Sequence, residues 1–471
     1  MIFLGVDVGT TRTKALAYDA ETQKRFVVAR PTPVVESSSG DLRDADAVLQ
    51  TVMGAVGEAI AALTAEQRAR IAGIGITSLS EEMVLLGPDS APLGPMPTWY
   101  NQHAGREDAI EAGLDPSFSW AKLRWAHDRI ARSAEPFSAV AREDVIAVTT
   151  LSAYIGDRLA YAGRFAVDHS HASRTGFFDL RDGRWLPELF EKTGWPAALL
   201  PPLVPTGTSA GMLDSALAEL WGIPSSISVV LAGHDHFCGA FGLGVRGDGE
   251  LYVSAGTSEA HCLIVDALPE GPIPAHVGAG RYVDGERFYL HRQLPSGHLY
   301  RHWQTLLGTA EQTQEEESSA LAAEPVGSGG AVLVPGIDTD TRSWLLGLRT
   351  DANSPSVLRA LFEGLACAAL DIDDGLVAVS GRSITSVIAA GVPCGSPVWQ
   401  EIRAHLSPAP LSVSTETEAP ALGAALLAQR SVTGAPAAVQ SSVAIGTSDD
   451  LRTAYRAVRD RFEQASAFVV R

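Results

Sequence analysis

Two stretches of this 471-residue chain, about half its length apart, carry the same pattern of strand, small turn and strand. The first runs Ile2-Phe3-Leu4-Gly5-Val6-Asp7-Val8, then Gly9-Thr10-Thr11-Arg12, then the alternating run Thr13 to Tyr18. The second runs Leu251-Tyr252-Val253-Ser254, then Ala255-Gly256-Thr257-Ser258, then Ala260 to Val265. An apolar run broken by small and hydroxyl residues and then resumed is the signature of a β-hairpin. Its recurrence predicts a duplication: two related domains, each presenting one hairpin to a shared cleft. Chance similarity of two short turns is the competing reading.

The first turn has chemistry of its own. Gly9 lets a ligand approach the backbone closely. Thr10 and Thr11 offer hydroxyls and backbone N–H groups to phosphate oxygens. Asp7, near the end of the strand, is placed to hold a hydrated Mg²⁺ beside them. An ordinary tight hairpin has the same local string, and motifs this short also arise by chance.

The remaining pattern is that of a layered α/β protein. Strands are predicted at 2–8, 12–18, 25–30 and 71–77, with a helix over 44–66 that places Val48, Val52, Val56 and Ile60 on one face. Residues 104–165 read as mostly helical, with Trp120, Leu123, Trp125 and Ile130 as core candidates. An apolar strand over 226–232 gives way to a helix near Asp235. Glu311 to Ala323 reads as an exposed acidic helix or loop. A strong helix over 355–378, a strand over 385–390, a helix over 397–406, a strand over 410–414 and helices over 420–430 and 448–468 complete the chain.

At 46% hydrophobic and 19% charged, the composition suits large buried cores. A formal net charge of -19 makes nucleic acid or an anionic membrane surface an unfavourable partner. Cys238, Cys262, Cys367 and Cys394 are too scattered for a disulfide framework or zinc ribbon and read as buried thiols. The chain enters a strand directly, without a basic leader, and has no apolar run of the ~20 residues a spanning helix needs. A cytoplasmic protein is the expectation.

Asp235 stands where a strand becomes a helix, and a helix N-terminus favours the ionised acid. Such a carboxylate can accept a proton from a bound hydroxyl, or simply cap the helix. His234 and His236, with Asp168, His169 and His171, raise a further alternative, a metal cluster. Gly242 to Gly247 and Gly207 to Gly211 imitate a dinucleotide fingerprint and a nucleophile elbow, but each lacks the required flanking elements. A P-loop string is absent.

Taken in order, these segments resemble the FGGY family of carbohydrate kinases in the actin-like ATPase superfamily. Asp7-Val8-Gly9-Thr10-Thr11 resembles the family's first phosphate hairpin and Ser254-Ala255-Gly256-Thr257-Ser258 its second. Trp99-Tyr100-Asn101-Gln102-His103 falls at the Trp-x-Asp-x-Arg-like substrate segment. Ala172-Ser173-Arg174-Thr175-Gly176, within 168–179, resembles the mid-domain signature. Gly233-His234-Asp235-His236 is similar to the catalytic-aspartate segment. Phe362-Glu363-Gly364-Leu365-Ala366 resembles the long-helix signature. Ala390-Gly391-Val392, with Trp399-Gln400, falls at the adenosine segment, and Ala421 to Ala425 matches the final helix.

The resemblance implies an α/β fold of two actin-like (ribonuclease H-like) domains, each a mixed sheet flanked by helices. They would span 1–243 and 244–471, with the last helix able to pack back on the first. It implies ATP and Mg²⁺, with transfer of the γ-phosphate to a sugar or polyol hydroxyl and Asp235 as general base. Asp7 would hold the metal; Gly9, Thr10, Thr11, Lys14, Gly256, Thr257, Gly391 and Gly395 would contact ATP. Glu81, Trp99, Asn101, His103 and His236 would face the substrate, and a homodimer is compatible with the family. The chain departs from the family pattern at Ser78 to Glu82, at Asn101 and His103, and in having one glycine in the adenosine segment. An uncharged Asn101 and an accepting Glu81 favour a neutral polyhydroxylated substrate, such as a pentulose. A non-catalytic nucleotide-binding protein and a His/Asp metal-dependent hydrolase are the alternatives.

Overall fold

The computed structural model describes residues 1–469 apart from 102, 337–341 and 435–441. The chain forms two compact units. The first contains Met1–Gly244, Gly280–Arg287 and a segment that begins at Glu418; the second contains Val245–Ala279, Phe288–Thr417 and the C-terminal segment.

The first unit is built on a six-stranded sheet. Its strands are β1 (Ile2–Val8), β2 (Arg12–Asp19), β3 (Arg25–Pro31), β4 (Ile71–Ser78), β5 (Ser209–Met212) and β6 (Ser228–His234). Their spatial order is β3-β2-β1-β4-β6-β5, with β1, β4 and β6 parallel and the outer pairings antiparallel. β1 is central and buried along its whole length. The two-residue period of a strand then assigns its faces. Ile2, Leu4, Val6 and Val8 share a core cluster with Val48, Val52 and Val56 of the helix Ala45–Ala61, which Asp44 caps. Gly5 has the opposite parity and faces the helix Ala419–Thr433 at backbone distance. A Cβ on Gly5 would stand 1.8 Å from the Ala421 carbonyl oxygen, and one on Gly75 2.0 Å from that of Ala424.

The second unit repeats this plan. β7 (Glu250–Ala255), β8 (Glu259–Val265), β9 (Phe288–Leu294), β10 (Ser386–Ala390), β11 (Leu411–Ser414) and β12 (Ser442–Ala444) stand in the order β9-β8-β7-β10-β11-β12. β7, β10 and β11 are parallel, and the outer pairings are antiparallel. Six of the seven strands of this sheet repeat the spatial order and pairing directions of the first, so the duplication rests on six paired strands rather than two turns. The helix Ser354–Ser380, capped by Asn353 and ended by Gly381, buries Leu358, Leu361, Ile372 and Leu376.

Two local expectations are corrected, and one strand was not foreseen. Residues 104–165 are not mostly helical: Ala147–Thr150 is a strand paired with Met83–Leu86, and the helices are confined to Arg106–Glu111, Ser119–Ala131 and Leu151–Ala160. The predicted core residues Trp120, Leu123, Trp125 and Ile130 are nevertheless buried together. β9 went unpredicted because His291, Arg292 and Gln293 interrupt its apolar alternation. The helix that returns to the first unit is Ala419–Thr433; the C-terminal helix Asp449–Val469 instead packs in the second unit, against Pro397–Leu406 and Ser354–Ser380, through Tyr455, Val458 and Phe462.

Candidate active site

In the first unit three parallel strands end at one level: Ser78 of β4 pairs with both Val8 of β1 and His234 of β6. Groups just beyond these ends therefore share one edge of the sheet, where open α/β sheets place their ligands. Asp7, Glu81 and Asp235 all lie there.

Asp7 stands opposite Lys14 in the hairpin, and the Gly9 N–H donates to the Arg12 carbonyl at 3.1 Å to close the turn. The Trp99 ring N–H donates to Thr10 Oγ1 at 3.0 Å, so the Thr10 hydroxyl keeps its own proton to give. Arg43, fully buried, donates to the Thr10 carbonyl at 2.9 Å and pairs with Glu82 at 3.1 Å. Glu82 also accepts the Trp99 backbone N–H at 3.1 Å. This pair fastens the turn to the Trp99 segment, and nothing local in the sequence singled it out. Lys14 Nζ lies 2.6 Å from Glu418 Oε2. Asp7 Oδ1 is buried and takes no hydrogen bond among the described residues. Burial and the Asp235 carboxylate push the Asp7 pKa up, and Lys14 opposes them. A buried, unsatisfied carboxylate oxygen beside a second carboxylate is the chemistry a hard divalent cation relieves, so the residues present fit Mg²⁺.

Asp235 is not the cap of its helix. His234 holds that position, and Asp235 is the first helical residue. Its Oδ1 accepts the His236 backbone N–H at 2.6 Å and pairs with His234 Nδ1 at 2.7 Å. Burial raises the Asp235 pKa, but the two histidines prevail and hold it below the ordinary carboxylate value. Behind it lies a polar network that the sequence showed only as part of a signature. Asp168 Oδ1 accepts from Ser170 Oγ at 2.7 Å and Thr206 Oγ1 at 2.9 Å, and its Oδ2 binds His171 Nδ1 at 2.6 Å.

The four histidines raised as metal ligands are not gathered into one set. His171 is bound to Asp168, His234 to Asp235, and the His169 ring lies against Phe178. Among the described residues, no three His, Cys, Asp or Glu side chains are grouped to hold a metal ion.

Glu81 takes a left-handed conformation, φ 67°, that turns its side chain inward. There it pairs with Arg174 at 2.7 Å, and the guanidinium lies over the Phe118 ring. Burial alone would raise the Glu81 pKa, but Arg174 and His234 lower it. Burial and the neighbouring His234 lower the His236 pKa to about 4, so its ring is neutral at pH 7. Lys122 is buried below this wall, donating to the carbonyls of Pro116 and Ser117. Trp99 is 40% exposed and presents an aromatic surface. His103 is exposed, and Gln102 lies outside the described residues. Asn101 has another occupation than the one expected. Its Nδ2 donates to the Ser39 and Asp41 carbonyls, both at 3.0 Å, and its Oδ1 accepts the His103 and Ala104 backbone N–H groups. Both atoms of its side-chain amide are thus engaged in fastening loops.

In the second unit Ser254 of β7 pairs with Ala390 of β10, so Gly256-Thr257 and Gly391 emerge side by side. The Thr257 carbonyl accepts the His298 backbone N–H at 2.9 Å, from the first turn of the helix Ser296–Leu307. Gly391 has φ 120°, and a Cβ there would meet the Ala255 carbonyl oxygen at 1.8 Å, so only glycine fits. Next to these turns lies a cavity of about 230 Å³. Tyr300, Phe362, Leu365, Val392, Pro393 and Trp399 give it apolar walls; Glu259, Gln304, Glu317 and Arg403 give it polar ends. Gly391 and Gly395 do not line it, but their neighbours do. The helix Gln314–Ala323 is not simply an exposed acidic segment, because Glu317 is buried against Tyr300 and Gln304.

At the hairpin end, Glu259 binds His261 Nε2 at 2.9 Å and Arg403, while His261 Nδ1 binds Asp373 at 2.6 Å.

Residues 2–242 match the N-terminal domain of the FGGY family of carbohydrate kinases, and residues 251–432 match its C-terminal domain. Among curated relatives, a glycerol kinase from Alkalilimnicola ehrlichii is 26% identical over 465 residues, covering 91% of this chain and 90% of that one. An apulose kinase from Pectobacterium atrosepticum is 25% identical over 455 residues, covering 90% and 88%. Among solved structures, a xylulose kinase from Rhodospirillum rubrum superposes with a TM-score of 0.87 at 21% identity, covering 100% of this chain and 99% of that one. The two mixed sheets and their helices are thus a two-domain actin-like fold. The chain belongs to the FGGY family of carbohydrate kinases, ATP-using phosphotransferases that act on a sugar or polyol hydroxyl.

Proposed function

We propose that this kinase phosphorylates a neutral polyhydroxylated acceptor, a ketose such as a pentulose or a polyol, with Asp235 as general base. The observation that carries this reading is the placement of the Asp235 carboxylate: at a helix start on the ligand edge of the sheet, with Oδ1 engaged by His234 and the His236 backbone N–H, and with its pKa held below the ordinary carboxylate value by the two histidines against burial. Asp235 would take the proton of the acceptor hydroxyl. That oxygen would form a new bond to the γ-phosphorus as the bridging bond to ADP breaks, in keeping with phosphoryl transfer as positioning plus electrostatic stabilisation. Mg²⁺, held through Asp7, would offset negative charge on the phosphates. Gly9, Thr10, Thr11, Gly256 and Thr257 are suited to hold phosphate oxygens. The apolar cavity beside Gly391 suits a nucleoside base.

The acceptor side supports a neutral substrate. The Glu81–Arg174 pair cancels its own charge, His236 is neutral, and Trp99 offers a face to sugar C–H groups. The names of relatives, glycerol, apulose and autoinducer-2 kinases, span this range of small hydroxylated acceptors. ADP release measured against ketoses, polyols and aldonic acids tests the reading. A neutral ketose or polyol should give the highest kcat/KM, and an aldonate as the best acceptor would refute the neutral assignment. Asp235→Ala should lose roughly 10²–10⁴-fold in turnover while remaining folded; near-wild-type turnover would remove the base assignment.

A further inference from the structure

We propose that His234 is a positioning residue for the transfer, fixing the Asp235 carboxylate so that Oδ2 alone is left to take the hydroxyl proton. The inference rests on the reading of Asp235 as the base. A carboxylate has no proton to give, so a ring nitrogen 2.7 Å from Oδ1 must be the donor: His234 carries a proton on Nδ1. The His236 backbone N–H supplies a second donor to the same oxygen at 2.6 Å. Among the described residues no hydrogen bond is made to Oδ2. One backbone donor would leave the carboxylate free to rotate about its χ2 bond; two donors on one oxygen, one of them a walled imidazole, hold its plane.

The imidazole is itself held. Its backbone N–H donates to Ser170 Oγ at 2.9 Å, and Ser170 Oγ donates to the buried Asp168. Its ring stacks on His171 with centroids 6.2 Å apart and meets the edge of Phe237 at 5.2 Å. The side chain is 15% exposed. The hydrogen bonds and ring contacts thus run without a gap from Asp168 through Ser170 and His171 to His234 and Asp235. A base held to one orientation keeps a near-attack geometry that a rotating carboxylate would visit only part of the time.

Two variants separate this role from mere packing. His234→Leu removes the donor and keeps bulk; His234→Asn keeps an N–H close to the place of Nδ1. With ATP and the acceptor of highest turnover, His234→Leu should lower kcat about tenfold or more, with KM for ATP changed by no more than about twofold. His234→Asn should recover most of that loss. Nitrogen-15 NMR of the ring nitrogens in the wild-type protein gives a readout independent of turnover. The His234 signal, identified by its absence in His234→Asn, should show a protonated Nδ1 and should shift in Asp235→Ala. An unprotonated Nδ1 overturns the proposal, as does normal kcat in His234→Leu, or a His234→Asn variant as slow as the leucine one. If His234→Leu fails to fold, the NMR result decides. Wild-type turnover in Asp235→Ala would defeat the general-base reading itself. An inactive Asp235→Ala beside a fully active His234→Leu would defeat only the role of His234.

Discussion

His261 has a carboxylate on each ring nitrogen, Asp373 on Nδ1 and Glu259 on Nε2, and is wholly buried. Both nitrogens must donate, so the ring is an imidazolium. Burial alone would lower its pKa, but Asp373 and Glu259 raise it to about 9. Glu259 is held down in turn: burial opposes, and Arg403 and His261 bring it to about 2. The signs follow from linkage. A base whose folded pKa lies above its unfolded value stabilises fully below about 6.5, and its contribution fades as pH rises through about 9. The Glu259 contribution is present above about 4.5 and fades as pH falls toward 2. The second unit should therefore melt highest between about pH 4.5 and 6.5 and lose of order 3 kcal/mol between pH 6.5 and 9.5. In His261→Leu the alkaline decline should vanish and the melting temperature at pH 7 should fall, because two buried carboxylates lose their shared partner. Calorimetric scans from pH 5 to 10 check both. An alkaline decline unchanged in the variant would place the titrating group elsewhere.

The cavity of the second unit is made by elements rather than by single residues. The helix Ser354–Ser380 supplies Phe362, Leu365 and Ala366, the helix Pro397–Leu406 supplies Trp399 and Arg403, and the turn after β10 supplies Val392 and Pro393. Leu365 is only partly buried, so a larger side chain there can grow into the cavity rather than into the core. Leu365→Trp should raise KM for ATP by about tenfold or more, at a stability cost within the roughly 1–3 kcal/mol of an overpacked site. KM for the acceptor should stay near wild type. An unchanged KM for ATP would mean that the base does not enter this cavity. Elements with a strong period were legible in the sequence: the two hairpins, and the long helix with apolar residues at helical spacing. The helix Gln314–Ala323 was legible only as an acidic segment, because Glu317 is drawn inward by Tyr300 and Gln304 of the preceding helix. The loop-fastening role of Asn101 was hidden by partners farther off in sequence. Its position in the motif was plain, but the carbonyls of Ser39 and Asp41 that occupy it lie some sixty residues away. Arg43 and Glu82, which hold the first phosphate turn, left no local trace, since a buried ion pair is defined by its partner and not by its neighbours in sequence.

At the scale of the whole molecule the chain leaves the first unit after Gly244, contributes Gly280–Arg287 to it while building most of the second, and returns at Glu418. The returning helix Ala419–Thr433 is structural to the site. Its backbone lies on Gly5 and Gly75 of the first sheet, and Gly423 meets the Cys238 carbonyl oxygen, where a Cβ would come within 1.9 Å. Cys238 belongs to the helix that begins at Asp235. Glu418, just before the returning helix, pairs with Lys14 opposite Asp7. One helix therefore backs both the hairpin and the Asp235 helix, and the small residues along it are what let three backbones approach so closely. Two truncations follow. Ending the chain at Thr417 removes this helix and should uncover β1 and β4, so that their amides, in the middle of the first sheet, lose hydrogen-exchange protection. Ending it at Thr447 removes only Asp449–Val469; the loss of protection should then fall on Pro397–Leu406 and the middle of Ser354–Ser380, where Tyr455 and Arg459 are bound. β1 and β4 should stay protected. Exchange mapped by mass spectrometry distinguishes the two patterns, and a Thr417 truncation that leaves β1 and β4 protected would show that the first unit is complete without its returning helix.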